Sequence, residues 1–230
     1  MRLRRLLLTA AVPWLLSSCA AFTTVRSAEP YPGLSSGVQL SLSAPPGDVA
    51  SWFWSLDCVA RCNHPIIGED LGVTYGWRPS GGPRAVAIGA GFSGVSPYVD
   101  GYVQLAGGSR PFGLGARLGL PVASWQEHQV YARYDIPIDS GARVLLNPGV
   151  FLHEGTSPNG ANEGQFISFV QGVGLEIEGD YVSWTPAIAV VAGRARHGGY
   201  GEQYGPERTI FATGSLGITV HGRRVLRREH

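Results

Sequence analysis

Period-two alternation of apolar and small or polar residues recurs in about ten segments, and this repetition most limits what the chain can become. The segments lie near 36–43, 69–78, 85–92, 97–106, 112–121, 129–137, 142–153, 165–178, 181–193 and 208–220. In the fifth, Phe112, Leu114, Ala116, Leu118 and Leu120 share one face, and Gly113, Gly115, Arg117 and Gly119 the other. In the sixth, Val130, Ala132, Tyr134 and Ile136 oppose Gln129, Tyr131, Arg133 and Asp135. No convincing amphipathic helix stands between them. Most segments run about nine to thirteen residues, longer than the five or six usual in soluble strands and close to the nine to eleven of a tilted strand crossing a bilayer.

The alternation also decides what "AVAIGAGFSG", residues 85–94, means. Its glycines have the G-x-G-x-x-G spacing of a dinucleotide loop, but such a loop must open a helix. Here Val99, Gly101, Val103 and Leu105 follow in alternation with Tyr98, Asp100, Tyr102 and Gln104, so a strand comes next. Gly89 and Gly91 are therefore expected to point into a barrel, with Val86, Ile88, Ala90 and Phe92 facing outward.

Alternation by itself fits a soluble barrel or sandwich as well as a membrane one. Connection lengths and aromatic placement separate them. "PSGGPR", "GGSRP", "DSGA" and "EGD" are short, whereas 44–68, "SWQEH", "EGTSPNGANEG" and "RARHGGYGEQYGPE" are long; the short link near "SGVS" breaks the pattern. Short turns on one side and long loops on the other suit a membrane barrel. Trp77, Phe112, Tyr134 and Trp184 all fall on the apolar face near the short turns, where aromatic rings favour the lipid–water boundary.

On these features residues 36–220 resemble the outer-membrane β-barrel superfamily of Gram-negative bacteria. The fold class expected is all-β: a single antiparallel up-and-down β-barrel of about ten strands, with eight as the alternative count, spanning the membrane. The final strand, "GSLGITV", is followed by "HGRRVLRREH", a departure from the superfamily's habit of ending on an aromatic residue.

The N-terminus carries arginines at 2, 4 and 5, an apolar run over 6–16, then small residues, which together make a secretory signal. Leu16-Ser17-Ser18-Cys19 resembles the bacterial lipoprotein box. The resemblance implies cleavage before Cys19, lipidation of its thiol with palmitate or a related acyl chain, and anchoring in the outer membrane. The expected organisation is a signal peptide over 1–18, a lipidated tether over 19–35, the barrel over 36–220 and a basic tail over 221–230. An even strand count leaves both barrel ends on the short-turn side, which places Cys19 beside the periplasmic leaflet.

Cys58 and Cys62 lie four apart in an exported chain, where an oxidising compartment favours a disulfide. Free thiols or a metal site remain the alternative, with only His64 nearby. The net charge of +1 gives no sign of nucleic acid. No cofactor or metal is implied. Outer-membrane lipid is the expected partner, together with an extracellular protein or a periplasmic ligand; the aromatic run Trp52-Phe53-Trp54 reads equally as a contact surface or as a lid on the barrel mouth.

No motif of catalytic strength is present. His153, His128 and Glu127 fall near long connections and are the candidates for acid–base work at the outer mouth. "FLHEGTSPNGANEG" resembles the lipid A deacylases only loosely, since Gly155 stands where their serine would and Ser157 lies too far along. No residue pairs match the omptin proteases. Asp100, Arg117, Arg133, Asp135, Arg143 and Glu176 are expected on the inner face, either pairing to plug the lumen or lining a small pore. The expected function is therefore an outer-membrane barrel lipoprotein with a structural, surface-interaction or small-pore role. The alternatives are a barrel enzyme, deacylase-like or protease-like, and a lipid-tethered soluble periplasmic barrel binding a small apolar ligand.

Overall fold

A computed structural model describes residues 19–20, 25–43, 66–80, 85–94, 96–121, 125–156, 162–197 and 207–222. A two-residue strand, β1 (Cys19–Ala20), precedes ten long ones. These are β2 (Gly33–Ser43), β3 (Ile66–Trp77), β4 (Val86–Ser93), β5 (Ser96–Ala106) and β6 (Phe112–Gly119). They continue as β7 (Trp125–Pro137), β8 (Ala142–Thr156), β9 (Asn162–Glu178), β10 (Val182–His197) and β11 (Glu207–His221). Each of the ten pairs antiparallel with its sequence neighbours, and β11 returns to β2 from Thr213↔Ser43 to His221↔Ser35, which closes the barrel. The fold class is thus the one expected, with ten strands. The expected signal peptide over 1–18, Trp52-Phe53-Trp54, Cys58, Cys62, His64 and, of the expected basic tail, 223–230 lie outside the described residues.

Closure turns the alternation into an inside and an outside. Ile188 is 68% exposed while its neighbour Ala189 is 3% exposed, and the same contrast holds for Val130 against Tyr131. Large apolar side chains cover the outside. Tyrosines, carboxylates, guanidiniums, amides and glycines fill the inside, the inverse of a soluble barrel.

The inward glycines make room for inward tyrosines. A Cβ on Gly91 would stand 2.6 Å from the Tyr98 hydroxyl, and one on Gly72 would stand 2.7 Å from it. Cβ atoms on Gly113 and Gly115 would collide with the rings of Tyr102 and Tyr131 respectively. Tyr102 and Tyr131 lie nearly parallel, 6.3 Å apart, and Arg133 sits over both rings at 4.4 and 4.6 Å. Of the glycines spaced like a phosphate loop, Gly91 makes room for Tyr98, Gly89 lies against Val73, Thr74 and Asp100, and Gly94, at φ +57°, turns the chain after β4.

The short-turn ends are nearly level, but the opposite rim is uneven. β4 has 8 residues, whereas β8, β9 and β10 have 15, 17 and 16. Beyond the end of β4, β1 pairs parallel with β3, Cys19 with Gly68 and Ala20 with Glu69. Cys19 therefore stands at the long-connection end, not at the short-turn end expected from strand parity. The reason is the course of residues 25–32, which run through the lumen toward the short-turn end before β2 begins.

Candidate functional site

Residues 25–32, read from sequence as part of a tether, occupy the barrel interior. They descend toward the short-turn end, where Pro32 bridges Gly76 in parallel and Gly33, at φ +79°, turns the chain into β2. That left-handed conformation favours glycine, because a side chain there meets its own backbone.

The wall has shaped seats for this segment. Cβ atoms on Gly172 and Gly174 would each lie 2.8 Å from the methyls of Val25, and one on Gly76 would run into the Tyr31 carbonyl. Val25 joins Leu145 and Ala187 in a small buried apolar cluster. Glycine at these wall positions gives Val25, Pro30 and Tyr31 space that any other residue would close.

Polar contacts hold each turn of the path. The Val25 amide donates to Gln39 Oε1 at 3.2 Å and the Arg26 amide to Asn147 Oδ1 at 2.8 Å. Asp135 accepts from the Ser27 hydroxyl at 2.6 Å and from the Ala28 amide at 2.9 Å. The Tyr102 hydroxyl donates to the Ala28 carbonyl at 2.8 Å. Near the short-turn mouth the Tyr31 hydroxyl donates to Glu176 Oε1 at 2.7 Å and contacts Ser183 Oγ at 2.5 Å. The Tyr31 ring stacks on His221, with centroids 3.8 Å apart.

Two charge clusters organise the lumen. In the upper one, Asp70 accepts from Arg117 Nη1 at 2.6 Å, Arg26 Nη2 at 2.9 Å and the Tyr98 hydroxyl at 2.9 Å. Arg26 also reaches Asp100 at 4.0 Å, and Arg133 reaches Asp100 at 3.7 Å. In the lower one, Arg143 meets Glu29 at 3.1 Å, Asp135 at 3.5 Å, Glu176 at 3.1 Å and Glu178 at 2.8 Å. Such pairing is what burial requires, since an isolated charge inside a narrow barrel is costly. A cavity of about 60 Å³ remains between segment and wall, bordered by Arg26, Ser27, Glu29, Asp100, Arg133 and Thr185. The space suits a few waters held by these polar groups.

The inner-face residues named from sequence all project into this lumen: Asp100, Arg117, Arg133, Asp135 and Glu176 are buried, and Arg143 is 11% exposed at its side chain. Of the candidates for acid–base work, Glu127 and His153 pair across β7 and β8 and are buried on the inner face. Glu127 accepts from Ser93 Oγ at 2.8 Å and lies 3.6 Å from Arg117, while His153 stacks near Phe151. His128 alternates to the outer face, so the wall separates it from the other two. Sequence reasoning missed Arg26, Asp70, Gln39 and Asn147. Asp70 and Gln39 were legible as inward strand positions; Arg26 carried no periodic signal.

Fold and site together define a closed ten-stranded antiparallel barrel whose lumen is occluded by its own N-terminal segment. No family model matches the chain, and no curated protein matches it. Among solved structures it is similar to Neisserial surface protein A, at 12% identity and a TM-score of 0.40, over 84% of this chain and 99% of that one. A bacterial polysaccharide outer membrane secretin aligns at 10% identity and a TM-score of 0.37, over 85% of this chain and 100% of its own.

Proposed function

We propose that this chain is an integral barrel of a bacterial outer membrane, closed at rest, whose long connections form a contact surface outside the cell. The observation that carries this reading is the inverted distribution of side chains. Leucine, isoleucine, valine and phenylalanine cover the outside of a barrel whose inside is lined by polar and charged side chains, many of them paired with one another. A continuous apolar exterior of this extent needs a nonpolar solvent, and a closed barrel leaves no unpaired edge in lipid. Trp77, Tyr75 and Trp184 are exposed near the short-turn end, where the headgroup region would receive them.

Orientation follows from loop length, with short turns in the periplasm and long connections outside. Lipidation of Cys19 belongs to the same reading and supplies an anchor at the rim where β1 meets β3. The interior, filled by the chain's own polar segment, offers little to a soluble apolar ligand, and the separation of His128 from Glu127 and His153 gives no support to an enzyme at the mouth.

The test is folding of the mature chain from urea into detergent micelles or short-chain phosphatidylcholine vesicles, read by heat-modified gel mobility. A folded band that appears only with amphiphile supports the membrane barrel. A monodisperse folded monomer in plain buffer would overturn it.

A further inference from the structure

The lumen's charge is unbalanced in a way its plugging does not require. Among the described residues the inner wall carries Asp70, Asp100, Glu127, Asp135, Glu176 and Glu178 against Arg117, Arg133 and Arg143. The occluding segment adds Arg26 and Glu29, which cancel, so the excess negative charge belongs to the wall itself. Arg26 is the segment's contribution to the upper cluster: its guanidinium lies 2.9 Å from Asp70 and 4.0 Å from Asp100. Arg117 still holds Asp70 when Arg26 is withdrawn.

The segment is also docked rather than woven into the wall. It joins no strand of the ladder over 25–31: its seats at Gly172 and Gly174 are contacts of shape, and its backbone pairing with the wall is the Pro32–Gly76 bridge at the short-turn end, beside the pivot at Gly33. A cavity of about 60 Å³ already lies along it, lined by Arg26 and Ser27 of the segment and by Asp100 and Thr185 of the wall. Its withdrawal would leave the ten-stranded wall with its ladder intact and take the segment's own side chains out of the lumen.

We propose that residues 25–32 are a displaceable gate, and that the lumen they vacate conducts small inorganic cations, one of which takes the place of the Arg26 guanidinium between Asp70 and Asp100. This rests on the membrane-spanning reading. Rings of carboxylates select cations by field and by replacing part of the hydration shell, and a pore conducts when such a site is shallow enough to release the ion. The wall's excess of carboxylates excludes chloride. Arg117 stays paired with Asp70 and Glu127 and Arg133 with Asp100, so each of the two carboxylates shares its charge between a guanidinium and the ion, and six wall carboxylates against three guanidiniums keep the lumen negative.

The experiment is single-channel recording in planar bilayers under a potassium chloride gradient, with the full mature chain and two full-chain variants. Arg26→Glu sets like charges against Asp70 and Asp100; Gly174→Val fills the seat of Val25. Heat-modified mobility of each preparation first establishes that it has folded. Wild type is expected to stay mostly closed, and both variants to rise by roughly tenfold or more in open-state current, the scale at which a side-chain-filled lumen becomes a water-filled one. The reversal potential should take the sign of potassium permeation. A synthetic peptide of residues 23–33 should block Arg26→Glu channels, and the same peptide with Glu at position 26 should not. Folded variants that conduct no better than wild type, or openings selective for chloride, overturn the gate. A chain that fails to fold with amphiphile overturns the membrane reading instead.

Discussion

Replacing Asp135 with alanine should loosen the luminal segment as a unit. Asp135 receives the Ser27 hydroxyl and the Ala28 amide, at 2.6 and 2.9 Å, and lies 3.5 Å from Arg143. Each hydrogen bond to a charged acceptor contributes about 1.5–3 kcal/mol, so the two together contribute about 3–6 kcal/mol. Part of this is offset, because the substitution also removes a buried carboxylate's desolvation cost while Arg143 keeps Glu29, Glu176 and Glu178. A net loss of about 3 kcal/mol corresponds to an undocked population raised by about 150-fold. Hydrogen exchange of the detergent-folded chain measures it. The informative amides are those of Val25 and Arg26, whose acceptors Gln39 and Asn147 the substitution does not touch. Their exchange should accelerate by about two orders of magnitude, the scale of that population change. Acceleration confined to Ala28, with Val25 and Arg26 unchanged, would refute the idea that the segment docks and undocks as one body. Asp135→Asn, which keeps an acceptor oxygen, should fall between.

Gly115→Val should destabilise the barrel by about 1–3 kcal/mol through overpacking against Tyr131, read as a lowered urea midpoint for the folded gel band. Ile188→Lys, on the outer face midway along β10, should cost about 2–4 kcal/mol in vesicle refolding. Glu176→Gln should weaken docking of Tyr31 and accelerate tyrosine-specific labelling at that residue; unaltered labelling would argue against the Tyr31–Glu176 contact as a latch. Cys19→Ala should abolish incorporation of radiolabelled palmitate in cells, and retained label would remove Cys19 as the acylation site.

Much of the wall was legible in the chain because alternation is a local property. The reading of 112–121 and 129–137 as opposed faces needs only neighbouring residues, and β6 and β7 occupy Phe112–Gly119 and Trp125–Pro137. Boundaries were less legible on the long-connection side, where β9 and β10 run to 17 and 16 residues. There polar residues such as Arg194, Arg196 and His197 break the alternation while the ladder continues. Inward placement of Asp100, Arg117 and Arg133 followed from the same parity, but which charge meets which did not. Asp70 and Arg117 are 47 positions apart, and their contact depends on the register of the strands between them.

Sequence alone therefore determined the all-β class and which side chains face out, because a period of two commits every other residue to one side before any partner strand is chosen; ten strands rather than eight was settled by closure of the sheet. The tertiary structure decided the rest. Residues 25–32 show no periodicity, and in isolation they read as tether. Only a closed wall brings Gln39, Asn147, Asp135, Glu176 and Ser183 around one axis, and Tyr31 meets Ser183 across 152 positions of chain. Polar groups confined to a narrow lumen must be paired, and closure placed residues 25–32 where they could pair them.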